Sequence, residues 1–219
     1  MTSTRRWPQG GLALLLSLTL AACNKVPTAD DADEHGHTAA TEATRAANAS
    51  ILSELDFNDR QDFVDAERGL IARDPMLRVL RITEEGSSTV WDMPSYDFIK
   101  GEAPDSVNPS LWRQARLNNQ TGLFQVREGI WQLRGFDLSN ITLIQGQTGW
   151  IVVDTGTSRE TAAAAMAFAR QHLGAQKVSA VVYTHSHVDH FGGVLGVISA
   201  DEAKSRNVPI VAPAGFMEE

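Results

Sequence analysis

Apolar positions fall into three regimes along the chain. Residues 11–20 form a leucine-rich run behind Arg5 and Arg6, too short to cross a bilayer as a stable helix. Residues 24 to about 50 are rich in Ala, Thr, Asp and Glu and hold no hydrophobic cluster, which is the composition of a flexible tether. From Leu52 onward the spacing becomes that of a folded domain. Phe63, Val64, Ala66, Leu70 and Ile71 predict an amphipathic helix over 58–72. The runs 77–82 and 89–91 flank Glu85-Gly86 and predict a hairpin. Asn108-Pro109 predicts a helix start, with asparagine as cap, proline in the first turn, and Leu111, Trp112 and Leu117 turned inward.

The second half has a regular alternation. Short strands are expected near 123–126 and 130–133, then at 141–145 and 150–154, the last two bracketing Gly146 and Gly149 as a hairpin. Thr157 with Glu160 suggests a capping box ahead of an alanine-rich helix that runs to about Leu173 and stops at Gly174. A buried strand at 178–183 follows, then a polar cluster, a helix near 193–199 and a strand at 208–212. Strand, helix and strand, with the polar cluster at a strand's C-terminal end, define an α/β layout.

Charge and cysteine usage narrow the partners. The chain has 219 residues, 42% hydrophobic and 21% charged, with a formal net charge of −8. Arg5 and Arg6 lie in the charge-then-apolar layout of a secretory signal. Its removal leaves 17 basic against 27 acidic side chains. That balance disfavours nucleic acid, and an anionic ligand needs a local attraction. The run ends in Leu20-Ala21-Ala22-Cys23, which resembles a bacterial lipobox with Cys23 as lipidation site; the alternative is an ordinary signal peptide with an incidental cysteine. Under the lipobox reading residues 1–22 are the signal, 23–50 the linker, and the product is a lipid-anchored periplasmic protein. Asn24 favours the outer membrane over the inner. Asp33, Glu34, His35 and His37 in the linker read as a solvated acidic stretch, because nothing there preorganises ligands.

The decisive residues are Thr184-His185-Ser186-His187-Val188-Asp189-His190, followed by Phe191-Gly192-Gly193. Four potential metal ligands lie within six residues, and three of the chain's 6 histidines are among them. In an extended segment His185 and His187 project to the same side and chelate one metal. Asp189 and His190 lie where the chain turns and face a second. Nitrogen and carboxylate donors without sulfur suit zinc ahead of iron or manganese. Gly192 and Gly193 are expected to let the backbone turn tightly into the next helix.

His-x-His-x-Asp-His after a hydrophobic strand resembles the signature of the metallo-β-lactamase fold superfamily. The resemblance implies His185 and His187 on one metal and Asp189 and His190 on the other, with Asp189 also in a catalytic role. Residues 151–156, Ile-Val-Val-Asp-Thr-Gly, resemble the earlier strand of that superfamily. Asp154 there either supports the metal cluster from behind or only forms a turn before glycine. The segments 107–114, 122–124, 134–140 and 212–219 resemble the alkyl sulfatases, a likeness spanning roughly 55 to 219.

That family likeness implies an αββα sandwich, two zinc ions in the complete enzyme, and hydrolysis of alkyl sulfate esters to alcohol and inorganic sulfate. Sulfur–oxygen and carbon–oxygen cleavage both stay open. A lactam or thioester hydrolase of the same fold, or a non-catalytic zinc-binding lipoprotein, are the competing readings. The family's remaining ligands come later in the chain, and no histidine follows His190. The expectation is therefore an N-terminal family-specific region over 51–120 and a partial sandwich over 121–219, with one sheet face uncovered. Homodimerisation is expected only of the full-length enzyme, and activity of these residues by themselves is open.

Overall fold

The computed structural model describes residues 32–34 and 36–218, so Cys23 and the signal segment lie outside the described residues. Among the described residues no helix is long and apolar enough to cross a membrane. The first helix, α1 (Glu42–Glu54), is capped by the Thr41 hydroxyl and buries none of its residues. It crosses the boundary expected at residue 50, so the end of the tether is helical. A helix that buries nothing leaves no hydrophobic signature to read.

The helix expected over 58–72 is shorter. It is α2 (Gln61–Glu67), and the chain then passes through Gly69 into β1 (Leu70–Ala72). Gly69 has φ +74°, and a Cβ there would stand 2.1 Å from the Gln125 carbonyl oxygen. Only glycine allows that close approach, and it turns Leu70 and Ile71 from helix to strand. The hairpin β2 (Arg78–Thr83) and β3 (Gly86–Asp92) forms as expected. A single 3-10 turn, Met93–Tyr96, leads on to α3 (Pro109–Asn118), whose Asn108 cap accepts from Ser110 N. Trp112 is buried there, but Leu111 is 66% exposed and faces outward.

Next come β4 (Gly122–Arg127), β5 (Ile130–Arg134), β6 (Ile141–Gln145) and β7 (Trp150–Val153). The helix α4 (Arg159–Leu173) then crosses over to β8 (Val178–Val182). The cap of α4 is Ser158, whose Oγ accepts from Thr161 N, and not Thr157. The Thr157 hydroxyl is taken by Asp137 instead. Beyond β8 come α5 (Val188–Phe191), α6 (Val194–Val197), α7 (Ala200–Ser205) and β9 (Ile210–Val211). The helix α7 has no counterpart in the sequence reading.

Seven strands form one sheet in the order β1-β4-β5-β6-β7-β8-β9. Pairing is antiparallel through β7, and parallel for β7–β8 and β8–β9. On one face Leu133, Leu143, Val152 and Val181 are buried with Ala162, Ala165, Met166 and Ala169 of α4. Alanines on α4 let its backbone approach the sheet closely. The other face carries Thr142, Val153 and Val182 in one row and Ile144, Ile151 and Ala180 in the next. All six are only half-buried. This is the α/β half-sandwich with an apolar face left open.

Candidate metal centre

The polar cluster sits where β7 and β8, parallel neighbours, both end. Asp154 follows β7 with φ 58°, a left-handed conformation that a side chain bearing Cβ rarely takes. Its N–H donates to the Val182 carbonyl (2.9 Å), extending the ladder by one rung. Its buried carboxylate then reaches across to the end of β8. Oδ1 accepts from Thr184 N at 2.9 Å, and Oδ2 from the Thr184 hydroxyl at 2.8 Å. Oδ2 also lies 2.8 Å from His190 Nδ1. Asp154 therefore ties both strand ends to the histidine loop.

These contacts set the tautomers. A carboxylate can only accept, so His190 carries a proton on Nδ1, and Nε2 is the ring atom turned towards Asp189. The Thr184 hydroxyl has one hydrogen, and Asp154 takes it. At its 3.0 Å contact with His185 Nδ1 the hydroxyl must then accept, so His185 is also protonated on Nδ1 with Nε2 open. Both rings are held through Nδ1.

The rings converge. The His185 centroid is 4.0 Å from that of His190 and 4.7 Å from that of His187. His190 Nε2 stands 3.3 Å from Asp189 Oδ2. Two donors on one tetrahedral zinc, each about 2.1 Å from it, are about 3.4 Å apart. Asp189 and His190 thus have the spacing of two ligands on a shared cation. Among the described residues no three His, Cys, Asp or Glu side chains stand together in metal-holding geometry, so that pair has no third protein donor in place.

The backbone carrying these donors is clamped. The Ser139 hydroxyl donates to the Asp189 carbonyl, and Thr155 N donates to the His190 carbonyl at 2.8 Å. The segment with Ser139 is anchored in turn through buried Asp137, whose Oδ2 accepts from Thr157 N (2.8 Å) and the Thr161 hydroxyl. Gly193 N donates to the Gly156 carbonyl at 2.9 Å. Gly192 and Gly193 have φ of −61° and −85°, values open to any residue, so turn geometry is not what requires glycine. Close approach is. A Cβ on Gly192 would meet Thr157 O at 2.4 Å, and one on Gly193 would meet Thr155 O at 2.0 Å. Behind the loop Tyr183 stacks on Phe216 with centroids 5.5 Å apart, and burial pushes its phenol pKa up.

Asp189 and His190 lie in the short helix α5, not in an open turn. His187 is exposed and His185 half-buried. Sequence reasoning missed Ser139, Thr184 and Asp137. Thr184 borders the histidine cluster, but its partner Asp154 is 30 residues away, and Ser139 is 50 residues from Asp189.

Residues 134–219 match the metallo-beta-lactamase superfamily. Over most of its length the chain is similar to alkylsulfatases. It is 48% identical to a linear primary-alkylsulfatase of Pseudomonas sp over 181 residues, which is 82% of this chain and 26% of that protein. It is 44% identical to an (R)-specific secondary-alkylsulfatase of Pseudomonas sp over 208 residues, 94% of this chain and 30% of that protein. The solved structure of the stereoselective inverting sec-alkylsulfatase Pisa1 from Pseudomonas sp. superposes with a TM-score of 0.75 at 46% identity. That match covers 83% of this chain and 28% of Pisa1. The chain thus spans under a third of the length of these relatives.

Proposed function

We propose that these residues form part of a metal-dependent sulfuric ester hydrolase acting on alkyl sulfates, releasing alcohol and inorganic sulfate. The observation that supports the reading is the clustering of the His185, His187 and His190 rings, with Asp189 beside His190 and the His185 and His190 rings each held through Nδ1. Its substrate class follows from the likeness to alkylsulfatases at 44–48% identity. The all-nitrogen-and-oxygen donor set suits zinc. We assign His185 and His187 to one ion and Asp189 and His190 to another, with Asp154 as the positioning residue.

A divalent ion bound here supplies Lewis acidity, lowering the pKa of water and offsetting the charge of a sulfate ester. The chain's own residues do the rest. Asp154 accepts the His190 Nδ1–H and fixes its ring plane. Thr184 fixes His185. Asp189 presents a carboxylate oxygen beside His190 Nε2, as the second donor of that pair. In a chain of net charge −8, divalent charge held by this cluster would provide the local attraction an anionic ester needs.

We further propose that Cys23 carries a lipid anchor and that the protein works in the periplasm, on the outer membrane. The lipobox-like Leu20-Ala21-Ala22-Cys23 supports this.

The test is zinc-reconstituted natural full-length protein assayed on dodecyl sulfate and on a β-lactam. Sulfate release, abolished by His185→Ala with His187→Ala, is the expected result. Lactam hydrolysis without sulfate release would overturn the assignment.

A further inference from the structure

A second candidate site lies apart from the histidine loop. A cavity of about 450 Å³ opens between the 3-10 turn Met93–Tyr96, the C-terminal end of α3 and the segment 134–140. Trp91, Met93, Ile99, Leu117 and Leu138 give it apolar walls. Trp91 is held in place by its Nε1–H, which donates to the Gly135 carbonyl at 2.8 Å.

Arg134 is the cation of this wall. Its guanidinium lies 4.3 Å from the Phe124 ring centroid. Nε donates to Gln132 Oε1 at 2.8 Å, and Nη1 to the Ala66 carbonyl at 3.4 Å. Ala66 also lines the cavity, which puts the guanidinium at its edge. Two of the five N–H donors are thereby engaged, leaving three. Burial lowers the Arg134 pKa, the sign of a charge whose desolvation nothing nearby offsets. Arg73, Arg78, Arg81 and Arg113 each have a carboxylate partner, but among the described residues no carboxylate stands within ion-pair distance of Arg134. Asp137 borders the cavity too. Its oxygens are directed at Leu138 N, Thr157 and Thr161, and it forms no ion pair with Arg134.

A partly buried cation without a counter-ion, set among apolar walls, calls for an anion that brings apolar surface with it. We propose that this cavity binds a single-chain anionic amphiphile, with its head group on Arg134 and its alkyl tail against Trp91, Met93, Ile99 and Leu117. A sulfate ester and a fatty carboxylate share that chemistry. The site uses none of the metal donors, so it stands or falls separately from the hydrolase reading.

Calorimetric titration of the metal-free protein with octyl sulfate, octanoate and octanol, all below micelle formation, tests it. One saturable site is expected for at least one anion, with octanol weaker by about tenfold, the loss of a charge-assisted hydrogen bond. The tighter anion identifies the source of the ligand. Arg134→Gln should weaken the anion by about tenfold and leave octanol unchanged, whereas Arg134→Lys, which keeps the charge but loses the planar fork, should bind the anion more tightly than Arg134→Gln. If Arg134→Gln fails to keep the native circular dichroism, Ala115→Phe, which fills the cavity, must reduce binding while Arg134→Lys retains it. No saturable site, octanol binding as tightly as the anions, or a folded Arg134→Gln binding like the parent would each overturn the proposal.

Discussion

Asp154 Oδ2 and His190 Nδ1 are 2.8 Å apart, although 36 residues separate them in sequence. The carboxylate comes from the end of β7 and the imidazole from α5, so this bond exists only once β7, α4 and β8 are assembled. It both orients a donor nitrogen and records that the fold around it is complete. Asp154→Asn tests the first role. Asparagine tolerates the left-handed φ of 58°, so the fold should persist. Its amide is a weaker acceptor for a histidine N–H, and zinc affinity should fall about 10–100-fold. Competition against a chromophoric chelator measures it; unchanged affinity removes Asp154 from the site.

Ser139→Ala removes the hydroxyl that holds the Asp189 carbonyl. The loss of one neutral hydrogen bond corresponds to about 1 kcal/mol. If it loosens the ligand pair specifically, zinc affinity falls by about fivefold while the apo-protein melts within about 2 °C of the parent. A large drop in melting temperature with affinity preserved would make Ser139 a purely structural residue.

Gly193→Ala addresses the packing beneath the site. The added methyl would lie 2.0 Å from the Thr155 carbonyl, which sits on a buried residue and cannot swing away. Destabilisation of about 1–3 kcal/mol or more is expected, read from urea unfolding. A mutant as stable as the parent would mean that the 155–193 approach is looser than described.

The Arg81–Glu160 pair joins the β2–β3 hairpin to the first turn of α4, with Nε to Oε1 at 2.7 Å. The hydrogen bond from Arg81 is the main cause holding the Glu160 pKa below its usual 4.5. A depressed carboxylate pKa adds stability above the unfolded-state value and loses it as pH falls through the folded-state value. Glu160→Gln should therefore lower the melting temperature at pH 7, and the gap from the parent should close as pH drops below the carboxylate range. A gap that is constant with pH would assign the effect to packing.

The open sheet face gives a prediction about behaviour in solution. Ile144, Ile151, Val153 and Val182 present contiguous half-buried apolar surface. The 219-residue chain by itself should bind an apolar fluorescent dye and self-associate, which sedimentation would show. Ile151→Thr with Val153→Thr should reduce both without lowering the melting temperature by more than a few degrees. A monomeric, dye-silent parent would show that the face is covered.

The sheet from β6 to β8 was legible because its strands are uninterrupted apolar runs and Gly174 ends a helix unmistakably, with φ 86°. The histidine cluster was legible because its four candidate donors fall within six residues of sequence. What could not be read depends on contacts between distant segments. Gly69 looks like any glycine until β4 is placed against it, and that contact splits one expected helix into α2 and β1. Thr157 and Ser158 are equally good caps locally; Asp137, 20 residues earlier, claims the threonine. Leu111 follows the helical period but reaches the outer side of α3, where nothing covers it.

The β7–α4–β8 crossover has a consequence for how the protein unfolds. Asp154 and His190 are held at its two ends, so their hydrogen bond, strengthened when an ion binds the far side of the His190 ring, closes a loop containing the helix and the central parallel pair. Slack in that loop is what unfolding must create. Saturating the site should therefore slow hydrogen exchange in the amides of α4, far from any donor atom, as well as in the loop that carries the histidines.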